Sequence, residues 1–296
     1  MLFAQTPSVR MGVLKGISCV PCAYLIENRA KLSVQNMSFK IYDSVQGELP
    51  ALLKDELDVG FLPVKDAVKV FNKGYGAVVA LGVVQNDNLW LLKSGETYES
   101  IEELKGKTVA CAENDSSNSE LLRYLLPKKG LSLGGDENSV KLDFSVPVAN
   151  IPNSLILGNI QYAFVEEPFA TVAQIHSSKI IRAASVSKIY YETESGNSLP
   201  AMLLVADSEF AKQNIDLIGR LCELYKNVVS WTMKNPSKAA LLAEKHSLGL
   251  SSEIVRAAIP NANFVWRDIE NAKPDVEKHL VILQQEFPSG DFYIRH

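Results

Sequence analysis

Apolar and polar positions alternate with a period of two from Val9 to Leu14, the pattern of a half-buried strand. The chain then turns through Gly16-Ile17-Ser18-Cys19 into a helical pattern from Pro21 to Lys31. Ser38–Tyr42 alternates again. Leu49, Leu52, Leu53 and Leu57 recur at helical spacing, Asp58–Leu62 reads as a short strand, and Pro63 opens a helix that runs to Phe71. Ala77–Val84 is a continuous apolar run, too short to span a bilayer and interrupted by Gly82, so it predicts a buried strand. Strands alternating with helices of this length imply an α/β fold with a mostly parallel sheet and helices on both faces.

The pattern restarts after Ser94. It predicts a short helix at Ile101–Leu104 and strands at Lys107–Ala112, Val140–Ser145, Tyr162–Val165 and Lys179–Ala184. Helices fall at Ser119–Leu126, Ile151–Leu157 and Pro168–Ile175, and Ser117 with Glu120 fits a capping box. Ala201–Ala206 is again a strand, and the remainder of the chain reads as almost all helix: Ser208–Lys234, Pro236–His246, Ser251–Ile259 and Pro274–Phe287. The tail carries an apolar stripe (Ile218, Leu221, Leu224, Tyr225, Val228) that must cover something, and the first sheet is the available partner. This predicts two lobes: residues 8–92 with 196–296 as a discontinuous lobe 1, and 93–195 as an inserted lobe 2. Hinges are expected near 91–94 and 193–200, an arrangement suited to closing on a small ligand.

Composition narrows the function more than the fold. The 296 residues are 47% hydrophobic and 22% charged, with a formal net charge of -4. No basic stripe exists to neutralise phosphates, which argues against nucleic acid as a partner. Met1–Gln5 has neither a basic n-region nor a long apolar h-region; it reads either as the tail of a signal segment or as a cytosolic start. Cys111 and Cys222 sit in apolar patterns and are expected to be buried and inert. Cys19-Val20-Pro21-Cys22, at a helix start after a strand, is the one cysteine motif with redox potential. The histidines (His176, His246, His279, His296) form no ligand-spaced pair, so no metal and no cofactor is assigned.

Four stretches, in order, resemble the type II periplasmic binding proteins of ABC importers, in the branch of SsuA/THI5/NMT1-like proteins. These are Arg10–Glu27; Leu49–Phe61 (with Glu56 where a glycine is usual); Leu104–Ala110; and Gly158–Phe169, GNIQYAFVEEPFA, where Gln161 replaces the usual Asp. The tail SWTMKNPSKAA adds to the likeness. The resemblance implies the two-lobed fold with a helical C-terminal tail packed on lobe 1. It also implies export to the periplasm or the cell surface, a monomer, an ABC permease as partner and no catalysis. Relatives that make thiamine pyrimidine or act in menaquinone synthesis keep an enzymatic alternative open, although no histidine falls in a predicted cleft loop.

In such a fold the ligand lies at the carboxyl ends of the strands. The loops there contribute Lys15, Gly16, Ser18, Cys19 and Cys22; Ser44 and Gln46; Gln85 and Asn86, in a polar run that also holds Asp87 and Asn88; Ser116, Ser117 and Asn118; and Glu166 and Glu167. Trp90, and beside the second crossing Tyr190 and Tyr191, are placed to stack on a flat ligand, whereas Trp231 and Trp266 are expected in the core. The loops hold little positive charge beyond Lys15. They favour a neutral or amine-bearing heterocycle, such as a vitamin precursor, with a sulfonate or similar small molecule left open.

Overall fold

The alternating run at the N-terminus is strand β1 (Val9–Leu14), followed by α1 (Cys22–Glu27), β2 (Met37–Tyr42), α2 (Val45–Leu53), β3 (Val59–Pro63), α3 (Val64–Lys73) and β4 (Val78–Asn86). The computed structural model describes residues 8–30, 32, 36–74, 76–95 and 97–295. Met1–Gln5, Lys31 and His296 lie outside the described residues. Next come β5 (Leu89–Ser94), β6 (Thr108–Cys111), α4 (Ser117–Lys128), β7 (Lys141–Asp143), α5 (Ile151–Ile156), β8 (Tyr162–Glu166), α6 (Phe169–His176), β9 (Ile180–Ser185) and α7 (Val186–Thr193). The chain ends with β10 (Pro200–Asp207), α8 (Ser208–Gln213), α9 (Ile215–Lys234), α10 (Pro236–Lys245), α11 (Ser252–Ala258), β11 (Phe264–Asp268) and α12 (Ile269–Ile282).

These elements build two compact units. Unit 1 is 1–86, 200–280 and 285–296; unit 2 is 87–199 and 281–284. The crossings fall at 86–87, 199–200, 280–281 and 284–285, and residues 91–94, read from the sequence as a hinge, belong to β5 of unit 2. Each unit holds one mixed sheet flanked by helices. The unit 1 sheet has the order β11-β4-β10-β3-β1-β2, with β10 and β11 antiparallel to their neighbours. The unit 2 sheet has the order β7-β6-β8-β5-β9, with β5 the antiparallel member.

In unit 1, side chains of successive residues go to opposite faces of the sheet. Leu204 and Ala206 of β10 join one core, with β1, α1, α9, α10 and α11, while Leu203 and Val205 join the other, with α2, α3 and α12. Burial on both faces explains why β4 and β10 read as near-continuous apolar runs. Each fully buried Leu or Val contributes roughly 1.5–3 kcal/mol relative to exposure. The stripe on α9 (Ile218, Leu221, Tyr225, Val228) packs into the first of these cores, and Trp231 stacks on Tyr24 with centroids 4.0 Å apart, both as expected.

One packing feature was invisible in the sequence. Glu48, in the first turn of α2, is fully buried against β1 and β3. A Cβ on Gly12 would fall on its carboxyl and on Leu57; a Cβ on Gly60 would meet Leu52 Cδ1 at 2.5 Å and Glu48 Oε1 at 2.8 Å. The two glycines are the slot that admits the carboxyl. Gly60→Ala is therefore expected to lower stability by about 1–3 kcal/mol through overpacking, read as a lower urea midpoint. An unchanged midpoint would mean that the slot relaxes freely.

Several sequence expectations need correction. α2 begins at Val45, one turn before Leu49, because Ser44 is extended and the helix starts directly after it. The expected helix 208–234 breaks at Asn214 into α8 and α9. Ser116 rather than Ser117 caps α4, accepting from Ser119 N at 3.2 Å. The tail is not all helical: Phe264–Asp268 pairs antiparallel with β4, and the Trp266 ring packs where Gly82 leaves room. No helix among the described residues is long and apolar enough to cross a membrane.

Candidate functional site

In each unit, one strand is followed in sequence by a neighbour on one side and then by a neighbour on the other. In unit 1, β1 pairs with β2 and with β3, both parallel. In unit 2, β6 pairs with β7 and with β8, both parallel. Such a reversal opens a crevice at the carboxyl ends of the two adjacent strands, where loops from both can reach one ligand.

The unit 2 crevice is the more polar. The loop after β6 carries Glu113 and leads into α4 through Ser116, Ser117 and Asn118, all half-buried. Ser116 is occupied as the cap and donates to Glu113 O at 2.9 Å. The loop after β8 begins with Glu166, whose carboxyl interacts with the Asn118 amide. Glu166 is open to solvent by surface area, yet desolvation by neighbouring atoms raises its pKa, the Asn118 bond lowers it and Glu113 raises it. Asp87, just ahead of β5, is buried and accepts from Leu89 N at 3.2 Å. Burial first, and then repulsion from Glu166, push its carboxyl up to about 7. Three carboxyl groups thus converge on the end of this sheet.

Trp90 stands beside them, because β5 runs antiparallel to β8 and sets Leu89 opposite Glu166 and Trp90 opposite Val165. One face of its ring is covered by the Arg182 guanidinium of β9, 4.8 Å from the centroid. Arg182 in turn lies 2.5 Å from Glu167 Oε1 and donates to Thr171 Oγ1 at 2.8 Å. Glu167 is buried, so it acts on the crevice through Arg182 and Trp90 rather than by facing solvent. Tyr190 is in the core and Tyr191 is exposed.

In unit 1, Lys15 and Gly16 follow β1. Gly16 takes φ 110 with open space where a Cβ would stand, and its N–H donates to Leu248 O at 2.9 Å. That backbone favours glycine. Lys15 lies 2.6 Å from Asp43 at the end of β2, so part of its charge is already balanced. Ser18 is half-buried on the turn Ile17–Cys19, and Ser44 is exposed beside Asp43. Asn86, at the end of β4, is half-buried and has a side-chain oxygen with no partner among the described residues.

The structure does not bring all the predicted residues to the crevices. Cys19 and Cys22 are fully buried beneath the loop. Gln85 is interior and donates to Ala262 O at 2.7 Å. Gln46 lines a separate groove of about 420 Å³ with Leu49, Leu53 and Val70. A groove of about 630 Å³ among Asn72, Asp207, Glu209 and Phe287 contains none of the predicted residues. Glu113 and Arg182 were missed. Glu113 lies three residues before Ser116 of the polar stretch Asn114–Asn118, and Arg182 is the one charge inside the strand pattern IIRAAS. The described histidines are engaged elsewhere: His246 with Glu27 at 2.8 Å, His279 with Pro200 O at 2.8 Å and His176 with Val172 O at 2.8 Å.

Residues 42–239 match the family model described as NMT1/THI5 like. A search of curated protein sequences finds no match. Among solved structures, an ABC transporter protein from Parabacteroides distasonis superposes with a TM-score of 0.79 at 18% identity, covering 98% of this chain and 99% of its own. The periplasmic aliphatic sulphonate binding protein SsuA from Escherichia coli gives 0.69 at 17% identity, with 94% and 93% covered. The periplasmic nitrate-binding protein NrtA from Synechocystis PCC 6803 gives 0.64 at 11% identity, with 94% and 81% covered. At these identities the likeness is one of fold.

Proposed function

Because the chain belongs to the NMT1/THI5-like family, we propose that it is the solute-binding component of an ABC importer, which captures a small organic molecule outside the cytoplasm and delivers it to a membrane permease without chemical change. The observation that carries this reading is the same arrangement repeated in both units: a strand-order reversal whose carboxyl-end loops present polar groups. In unit 1 the binding groups are Lys15, Gly16, Ser18, Ser44 and Asn86. In unit 2 they are Trp90, Ser117, Asn118 and Glu166, with Glu167 supporting Trp90 through Arg182. The charge balance favours an amine-bearing heterocycle. Glu166 offers a partly desolvated carboxylate, Glu113 and Asp87 add negative potential, and Trp90 has a ring to stack on.

A thermal-shift screen of amine-bearing heterocycles, amino acids, sulfonates and inorganic anions tests this. A cognate compound at a hundredfold excess over Kd is expected to stabilise the protein by about 2.7 kcal/mol. Glu166→Gln is expected to weaken that compound roughly 10- to 100-fold, the worth of a charge-assisted hydrogen bond. Stabilisation by sulfonates alone would refute the charge assignment, and turnover of a screened compound would refute the transport reading.

A further inference from the structure

The motif Cys19-Val20-Pro21-Cys22 takes no part in the candidate site, since both side chains have no exposure at all. Cys19 closes the turn Ile17–Cys19 and Cys22 opens α1. Val20 N bonds Ile17 O at 3.1 Å and Ala23 N bonds Val20 O at 3.1 Å, so one helical turn runs into the next. Residues three apart in such turns project from one face, and the two free thiols are both buried and interact with one another. Pro21, at φ -56, fixes the turn between them. The other two thiols are elsewhere: Cys111 is in the unit 2 sheet, and Cys222 has Asp268 and Glu223 as its charged neighbours.

The surroundings of the pair admit only neutral groups. Burial pushes the Cys19 thiol well up. The Tyr225 hydroxyl beside Cys22 is buried, and the buried Glu48 Oε2 atom has no hydrogen-bond partner among the described residues. No cation neighbours the pair among the described residues, so a thiolate, or a monovalent metal held by two thiolates, would leave uncompensated negative charge in this interior. A dithiol and a disulfide are both neutral. We propose that Cys19 and Cys22 become joined by a disulfide when the chain folds in an oxidising medium, tying the Gly16–Ser18 loop to α1.

The oxidant is a low-molecular-weight or protein disulfide. One cysteine, as its thiolate, attacks a sulfur of that disulfide and expels a thiol, giving a mixed disulfide. The second cysteine attacks the first one's sulfur and expels the other thiol. The pair loses two electrons and two protons, and the oxidant gains two electrons and ends as two thiols. Because the folded chain exposes neither sulfur, the bond forms before the loop packs.

In the cell this rests on the proposed export; in vitro it does not. The full chain, refolded from denaturant with oxidised and reduced glutathione, is denatured again, labelled with iodoacetamide and mapped. The expected result is label on Cys111 and Cys222 only, a Cys19–Cys22 bond within one peptide and a mass lower by two hydrogens. Reductant should lower the melting temperature by about 3–6 °C, and Cys19→Ser should abolish that response. Label on all four cysteines, a bond from Cys19 or Cys22 to Cys111 or Cys222, or a metal retained by the two thiols would overturn the proposal. Native chain labelled at all four positions, beside oxidised refolded chain, would speak against export and not against the bond.

Discussion

Arg182→Met is expected to lower the stability of unit 2 by about 3–5 kcal/mol, the usual cost of removing one partner of a buried ion pair. The Glu167 side chain has no exposure and that of Arg182 only 12%. Without the guanidinium, Glu167 keeps only Thr171, through its N–H at 3.2 Å and its side chain. Desolvation already holds the Glu167 carboxyl above its ordinary range, against the pull of Arg182. Amide hydrogen exchange in β8 and β9 reads the loss locally. Pairing the change with Glu167→Gln should recover most of it, because two neutral groups of similar size then fill the space. The same substitution uncovers the second face of Trp90, so solute affinity should fall as well. Stability equal to the parent would mean that Glu167 takes up a proton there at little cost.

Unit 1 should lose roughly 2 kcal/mol between pH 6.5 and pH 8, and Glu48→Gln should abolish the loss. Burial raises Glu48 from 4.5 to about 8, against the opposing bond from Phe61 N. The unfolded chain gives up this proton near 4.5 and the folded chain near 8, so its contribution is complete below 4.5 and is lost as pH rises to 8. His279 acts in the opposite sense. Burial lowers it from 6.5 to about 4, so its contribution is complete above 6.5 and is lost as pH falls to 4. The two slopes oppose one another from 4.5 to 6.5, and above 6.5 Glu48 acts without that opposition. Glutamine has the shape and neutrality of the protonated acid and no titration. Urea midpoints across this range check the profile; a slope of the same size in the Gln variant would assign the titration elsewhere.

The sequence showed the repeated α/β order, the strand-end loops and the apolar stripe of α9, because each rests on local periodicity. It showed less where tertiary packing decides. β11 reads as part of a helical tail, since five residues gain their strand identity only by pairing with β4. Nothing near Glu48 in the sequence says that Gly12 and Gly60 will leave its carboxyl a slot. The Cys19/Cys22 motif was conspicuous, but its burial follows from packing against α9, which lies some two hundred residues away in the chain. The site was legible as loops and not as contacts. Glu166 and Asn118 were both picked out, while the Arg182 link behind Trp90 depends on the register between β5 and β9.

Strand β10 has a consequence for the order in which the chain acquires structure. It lies between β3 and β4 in its sheet yet follows all five strands of the other unit in the chain. A polypeptide emerging from the ribosome holds every strand of the second sheet once residue 185 has been made. At that moment the first sheet is still β1–β3 on one side and an isolated β4 on the other. Vectorial synthesis therefore favours the inserted unit folding first and keeps the enclosing unit open until residue 207 arrives. Under the proposed export, a late-arriving central strand delays the folded state that would block a secretion channel.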